Sequence, residues 1–103
     1  MADPAPFVKH DAEKVRAGLL PAEALLEIAK VLTFGAKKYS AHNWRKGTQW
    51  SRYYDATLRH LLAWSAREKA DPETGLSHLA HAGCCILFLL THELLELGED
   101  DRP

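Results

Sequence analysis

Two histidines at the start of an apolar segment are the residues best placed to do chemistry in this sequence. His78 and His81 are three residues apart, so in a helix they lie on one face of its first turn. Residues 71–75 before them contain the proline and glycine of a tight turn, and Ser77 or Thr74 can cap the helix. Neutral imidazoles at a helix N terminus can bind a metal or another ligand. The alternative is that both histidines only satisfy the helix start.

Further candidate ligands lie on the segment before this turn. His60 and Glu68 are two helical turns apart on one face. The turn at residues 71–77 reverses the chain, so in an enzyme we expect five side chains to converge on one cavity. The predicted metal ligands are His60, Glu68, Asp71, His78 and His81, and the predicted catalytic residues are Glu68, Asp71 and His78. For Asp71 the alternative role is turn formation.

Residues 37–47 combine cations, aromatic rings and an amide. From residue 30 to residue 67 there are eight lysines and arginines and one acid, Asp55, a net excess of seven positive charges. Cations suit phosphate and an aromatic face suits a base, so this region predicts a nucleotide site. The alternative is a solvated connector whose tryptophan fills the edge of the core. The predicted nucleotide-binding residues are Lys37, Lys38, Tyr39, Asn43, Trp44, Arg45 and Arg59.

Three helices are predicted to position these residues, because apolar residues recur at helical spacing in three segments separated by turns. We expect an all-α, antiparallel helical bundle with helices over 21–38, 51–69 and 77–97. Ser51 is the expected cap of the second helix, and His92 is expected at the surface. The positions predicted to face inward are Tyr54, Leu58, Leu61, Leu62 and Ser65 on the second helix, and Leu79, Ala82, Cys85, Ile86, Leu89 and Leu90 on the third.

The third helix is apolar on nearly every face, and such a helix must be covered on most sides. Two partner helices in so short a chain do not provide that cover. The sequence therefore predicts a homo-oligomer, a dimer or a tetramer, whose assembly completes the bundle. We divide the chain into an N-terminal arm (1–17), a single helical domain (18–98) and an acidic C-terminal tail (99–103).

The composition is that of one globular domain, with 103 residues, 47% hydrophobic and 26% charged. Cys84 and Cys85 are adjacent in an apolar run, so no disulfide framework is implied and a reducing cytoplasm is expected. The longest apolar run, 84–90, is shorter than the ~20 residues of a membrane span, and no strong nucleic-acid signal is present. His10 and Asp11 spell the dipeptide of HD-type phosphohydrolases without the other ligands of that motif.

Several segments, taken in order, resemble a domain of phage and prophage proteins, the N-terminal domain of dATP/dGTP diphosphohydrolases. The matching residues are Leu20-Pro21, Phe34-Gly35-Ala36-Lys37-Lys38-Tyr39, Asn43-Trp44, Arg59-His60-Leu61 and residues 71–82. The helices are also distantly similar to the all-α, MazG-type nucleotide pyrophosphohydrolases. Those enzymes hold magnesium with ExxE and ExxD carboxylates and form dimers or tetramers. A phage-encoded chain of this kind would act in the host cytoplasm.

The chain departs from the MazG-type pattern at its metal motifs. His78 and His81 stand where ExxD would open the later helix, while Glu68 and Asp71 spell ExxD at a helix end. Magnesium prefers oxygen ligands, whereas imidazole suits manganese, nickel or zinc. Either the metal is a different one, or the acids come from Glu23, Glu27, Glu68 and Asp71, or no catalytic metal is held.

The resemblance implies a metal-dependent pyrophosphohydrolase acting on purine deoxynucleoside triphosphates. Its cofactor would be magnesium, manganese or another transition metal. Two other functions fit the same sequence. One is a non-catalytic protein that binds or sequesters a nucleotide, and the other is a helical oligomerisation module.

Overall fold

The computed structural model describes residues 5–103. Within these residues the chain has no strand, only an isolated bridge between Gln49 and Glu99, so the all-α prediction is confirmed. The first four residues of the predicted arm lie outside the described part of the chain, and residues 5–16 form no helix. The elements are three helices, α1 (Ala22–Lys38), α2 (Trp50–Ser65) and α3 (His78–Leu95), and two short 3-10 turns, Ala17–Leu19 and Asn43–Lys46.

Helix α3 is the central element, and the other two helices pack against it. Near the start of α2, the ring of Tyr53 lies 5.3 Å from Phe88 and 5.4 Å from His92. Towards the end of α2, the ring of His60 lies 5.3 Å from His78 at the opposite end of α3. These two contacts make α2 and α3 antiparallel.

Helix α1 crosses α3 at a glycine. A Cβ atom at Gly83 would lie 2.9 Å from Cδ1 of Ile28, so the absence of a side chain lets the two helices approach closely. At the end of α1, Lys38 forms a 2.6 Å ion pair with Glu73, beside the start of α3. Helix α1 is therefore also antiparallel to α3. The small core between them consists of Val31, Ala80 and Cys84, with Ile28, Leu32, Leu76 and Phe88 packed around it.

Both ends of α2 differ from the prediction. The expected cap, Ser51, lies inside the helix, and its backbone N–H donates to Asp101 Oδ1 at 2.9 Å. The Ser51 hydroxyl donates to the other oxygen of the same carboxylate. A carboxylate at a helix N terminus satisfies free N–H groups and complements the helix dipole. At the other end, Arg67 adopts a left-handed backbone conformation (φ 64°), so Glu68 lies in the following turn.

The predicted inward stripe of α2 was wrong. The polar side of α2 faces α3, with Thr57 buried and Tyr53 and His60 half-buried, whereas the leucine stripe points outward. On α3, Leu79, Ile86 and Leu90 are likewise exposed rather than buried, although Ala82 is buried as expected. We call nine of the exposed apolar side chains of the two helices the back face. Its members are Tyr54, Leu58, Leu61, Leu62, Leu79, Ile86, Leu87, Leu90 and Leu94.

His92, expected at the surface, is fully buried (0% exposed). Its Nε2 lies 2.7 Å from the backbone carbonyl oxygen of Trp44. Because a carbonyl only accepts, Nε2 carries the proton and donates this bond. The position was misjudged because the loop that covers it is forty-eight residues away in sequence.

The C-terminal residues pack beside the start of α2. The backbone N–H of Trp50 donates to Glu99 O at 2.9 Å, and the indole N–H of Trp50 donates to Leu97 O at 2.9 Å. Gly47 and Gly98 cross here with positive φ, and a Cβ atom at Gly47 would lie 2.6 Å from the nitrogen of Gly98. Only glycine fits this crossing without strain.

Candidate functional site

A turn places a carboxylate beside the start of α3. Asp71 Oδ1 accepts backbone hydrogen bonds from Glu73 (3.0 Å) and Thr74 (3.1 Å). Gly75 takes a positive φ of 72°, and Ser77 caps α3 by accepting from the N–H of Leu79 at 3.1 Å. The turn bonds all fall on Oδ1, so within the described residues the second oxygen, Oδ2, is left for a ligand.

Three side chains from three different segments meet at this turn. His60 of α2, Asp71 of the turn and His78 of α3 each offer a ligand atom, and these atoms lie within 4.8 Å of one another. The two Nδ1 atoms of His60 and His78 are 3.0 Å apart. Two imidazole nitrogens bound to one ion at about 2.1 Å, at right angles, lie about 3.0 Å apart. The donor set therefore fits a metal ion that prefers nitrogen and carboxylate ligands.

The far side of His78 faces a second carboxylate. His78 Nε2 is buried and lies 3.3 Å from Glu68 Oε2, but no hydrogen bond of good geometry satisfies it within the described residues. Metal-binding histidines commonly donate their other ring N–H to a carboxylate, which sets the tautomer. Glu68 is in the position to accept the Nε2–H of His78. It does not belong to the group of His60, Asp71 and His78 whose ligand atoms lie within 4.8 Å of one another.

His81 belongs to the same cluster but has its own partner. Its ring stacks on His60 at 4.7 Å, and its Nε2 lies 2.7 Å from Thr74 Oγ1 and 3.9 Å from Asp71 Oδ1. Thr74 Oγ1 also accepts from the N–H of Leu76 and lies 3.4 Å from Asp71 Oδ1, and the direction of its hydrogen bond with His81 Nε2 depends on the tautomer of that ring. His81 Nε2, predicted as a metal ligand, is thus occupied by Thr74. The sequence did not indicate Thr74 as the hydrogen-bond partner of His81, because the two side chains come together only when the turn is folded.

Burial keeps two of these histidines neutral. Burial lowers the pKa of His60, and the neighbouring His81 lowers it further. Burial also lowers the pKa of His81, although the negative charge of Asp71 acts in the opposite direction. Burial opposes ionisation of Asp71, but the backbone N–H of Thr74 and the nearby His81 bring its pKa below the usual value. At neutral pH the cluster therefore offers free nitrogen lone pairs beside an ionised carboxylate.

A cleft of about 990 Å³ runs along α3 from this cluster. Its walls come from the end of α1, the 39–48 loop, α2 and α3. Asp71, His60 and His81 line one end, and Trp44 and Phe88 line the other. The volume is at the upper end of the usual range for small-molecule sites.

Five of the seven predicted nucleotide-binding residues line this cleft, namely Lys38, Tyr39, Asn43, Trp44 and Arg59. Lys37 and Arg45 are not in its walls. The guanidinium of Arg45 instead lies over the Trp44 ring at 4.7 Å, and the Trp44 ring stacks on Phe88 at 5.6 Å. A base stacking on Trp44 would compete with these neighbours. Wall residues that the sequence did not single out are Arg52, Tyr53 and Glu73, together with Cys84 and Cys85 on the floor.

Comparison of the sequence with known protein families identifies the family of this chain. Residues 4–102 match the family described as dATP/dGTP diphosphohydrolase, N-terminal. A protein of Salmonella phage PMBT28 named dATP/dGTP diphosphohydrolase is 37% identical over 82 residues, which cover 80% of this chain. The matched region spans only 28% of that relative's length. No solved structure matches the chain significantly.

Proposed function

We propose, since the chain belongs to the dATP/dGTP diphosphohydrolase N-terminal family, that it hydrolyses purine deoxynucleoside triphosphates between the α- and β-phosphates. The name of the phage relative supports a nucleotide-hydrolase role, although the chain spans 28% of that protein. The observation that carries the proposal is the meeting of His60, Asp71 and the buried His78 beside a cleft that His60 and Asp71 line together with Lys38 and Arg59.

A divalent cation held by His60 Nδ1, His78 Nδ1 and the Asp71 carboxylate would supply Lewis-acid polarisation of a phosphoryl oxygen. Two nitrogens and one carboxylate favour manganese or a later transition metal over magnesium, which prefers oxygen ligands. The neutral state of His60 supports this role, because only an unprotonated ring nitrogen can act as a ligand.

Cations at the same end of the cleft suit the triphosphate. Lys38 and Arg59 line the wall close to the cluster, in keeping with their predicted role. Lys38 is paired with Glu73 at 2.6 Å, so a phosphate must replace or share this partner. The proposed function thus includes a change of partner at Lys38 when the nucleotide binds.

Tyr39 is the aromatic side chain best suited to the base. It lines the cleft and is exposed, with the Lys38 ammonium 5.3 Å from its ring centre. Trp44 and Tyr53 are instead packed against Phe88. A base stacked on Tyr39 would lie beside Lys38 at the C-terminal end of α1. The loop that contains Trp44 would then form part of the cleft wall without contacting the base.

The test measures turnover and binding separately. The full chain is incubated with each of the four deoxynucleoside triphosphates and manganese or magnesium, and the products are separated. We expect deoxynucleoside monophosphate and pyrophosphate from the purine nucleotides, with manganese more effective. Asp71→Asn keeps an oxygen for the turn but removes the charge, so turnover should fall at least 100-fold while nucleotide affinity changes little. Asp55→Asn, an exposed aspartate of α2, is the matched control and should keep full activity.

A nucleotide-sequestering role is the second candidate, favoured by the single carboxylate in the tight ligand set. It predicts stoichiometric binding and recovery of intact nucleotide after long incubation with either metal. That result would contradict the hydrolase proposal. Loss of nucleotide binding in Lys38→Ala or Arg59→Ala would still support the cleft as the site.

A further inference from the structure

An ion pair in the cleft wall connects α1 to the turn before α3. Lys38 Nζ lies 2.6 Å from Glu73 Oε1, and the two residues are thirty-five positions apart in sequence. Both side chains line the cleft, and they are 44% and 54% exposed. Because neither group is buried, water and dissolved anions reach the pair, and its partners can separate without unfolding either segment.

The turn does not need the side chain of Glu73. The backbone N–H of Glu73 donates to Asp71 Oδ1 at 3.0 Å, a bond that any residue except proline can make at this position. Among the described residues, Lys38 is the one hydrogen-bond partner of the Glu73 carboxylate. The role of this carboxylate therefore lies in its contact with Lys38 and in its charge within the cleft.

The carboxylate occupies a position that a phosphate oxygen needs. A lysine ammonium binds carboxylate and phosphate through the same kind of charge-assisted hydrogen bond. Lys38 thus already has a substitute for phosphate within the chain, and a nucleotide has to displace it. An exposed ion pair shifts an equilibrium by about one- to fivefold, so a nucleotide can displace Glu73 but binds more weakly as a result.

A displaced Glu73 stays close to the bound phosphates. It is two residues from Asp71 on one turn, and both acids line the cleft together with Lys38 and Arg59. These four charges sum to zero, so Glu73 cancels the net positive charge that the two cations would otherwise keep beside Asp71. The repulsion between Glu73 and a ligand increases with the number of charged phosphates on that ligand.

We propose that Glu73 is an internal competitor of the nucleotide, whose carboxylate holds Lys38 while the cleft is empty and lowers the affinity of the cleft for phosphate chains. The role of Glu73 rests on the proposed function, because it takes the phosphates of a nucleotide as the ligand of Lys38. Binding energy that is equal for substrate and products does not speed the chemical step. By weakening both, Glu73 favours the departure of pyrophosphate, and product release limits the turnover of many enzymes.

The experiment is a calorimetric titration of the full chain with deoxyadenosine tri-, di- and monophosphate in the presence of EDTA. Glu73→Gln should bind the triphosphate about three- to tenfold more tightly than the wild type, with a smaller gain for the diphosphate and the smallest for the monophosphate. Lys38→Met keeps the length of the side chain and should bind the triphosphate at least fivefold more weakly. Both variants break the same ion pair, so a merely structural pair would change the affinity in the same direction in both.

The matched control is Glu27→Gln. Glu27 pairs with Lys30 at the same distance of 2.6 Å, with 45% and 60% of their side chains exposed, and neither residue lines the cleft. This variant removes the same charge from the chain and should bind all three nucleotides as the wild type does. Circular dichroism checks that each variant is folded.

Equal or weaker triphosphate binding by Glu73→Gln would overturn the inference, as would an equal gain in Glu27→Gln. Failure of both the wild type and Glu73→Gln to bind any of the three nucleotides would overturn it too. Turnover with manganese or magnesium is measured separately. If Glu73→Gln binds more tightly but no deoxynucleoside triphosphate is hydrolysed, the hydrolase proposal fails and the competitor role of Glu73 stands. Hydrolysis by the wild type with unchanged affinity in Glu73→Gln would give the opposite result.

Discussion

The pairing of His78 with Glu68 shows how one side chain can prepare another for binding. His78 offers Nδ1 towards His60 and presents Nε2 to the Glu68 carboxylate 3.3 Å away. If Nε2 carries the proton, Nδ1 has a free lone pair in a fixed direction. The role of Glu68 is then to orient a ligand, although its sequence position in an ExxD motif suggested a ligand role of its own.

Replacing Glu68 with glutamine should therefore weaken metal binding by about 10- to 100-fold, the usual cost of losing such a partner. Manganese or zinc titrated into the full chain by calorimetry provides the measurement. Glu93→Gln, an exposed carboxylate of α3, is the control and should bind as the wild type does. Unchanged affinity in Glu68→Gln, together with a large loss in Asp71→Asn, would rule out the orienting role.

Helical spacing and a proline turn restrict the directions of the five candidate side chains, which were expected to share one cavity. His60, Asp71 and His81 line the cleft, whereas Glu68 and His78 do not. The nucleotide-binding set was only partly predictable, since Arg45 projects from a loop. Its side chain lies over Trp44 instead of in the cleft wall. Spacing does not determine the direction of a loop residue, which depends on contacts far away in sequence.

At the scale of the elements, the three helices could be predicted from periodicity, and only their ends and faces were misjudged. The leucine stripe of α2 indicates that one face needs an apolar neighbour, but it does not indicate which neighbour. The structure turns this stripe outward and places Thr57 and His60 against α3. These polar side chains have partners inside the bundle, since the Thr57 hydroxyl donates to the backbone carbonyl of Tyr53 and His60 Nδ1 lies 3.0 Å from His78 Nδ1.

A buried histidine of α3 contacts the loop between α1 and α2 through one hydrogen bond. His92 donates to the Trp44 carbonyl, so His92→Leu leaves that buried oxygen without a partner and should cost about 1–3 kcal/mol of unfolding free energy. Urea denaturation followed by circular dichroism measures this. His10→Leu changes an exposed histidine in the same way and should have almost no effect. Equal stability of the two variants would show that the Trp44 loop is held by its ring contacts alone.

At the scale of the whole molecule, the chain closes on itself through Asp101. Hydrogen bonds from the hydroxyl and the backbone N–H of Ser51 lower the pKa of this carboxyl. A carboxyl whose pKa is lower in the folded state stabilises the fold above its unfolded pKa. That stability is lost as the pH falls through the folded value.

Asp101→Asn should accordingly lower the thermal midpoint at pH 7, and its difference from the wild type should shrink as the pH falls below 3.8 and disappear once the pH is below the lowered pKa of the folded state. Differential scanning fluorimetry across this range measures both midpoints. Glu99→Gln, a nearby exposed acid, removes the same charge without touching Ser51 and serves as control. If Asp101→Asn lowers the thermal midpoint by the same amount at every pH, the shape of the side chain rather than its charge matters at this position.

The same contact affects the order in which α2 and its cap become available during synthesis. Ser51 leaves the ribosome fifty residues ahead of Asp101, so α2 begins without its cap while α3 is still being made. During that interval the leucines of α2 and the first half of α3 can bind to another nascent chain or to a chaperone. The residues around Asp101 therefore decide when the start of α2 becomes stable, and a pause in translation just before them would prolong the vulnerable interval.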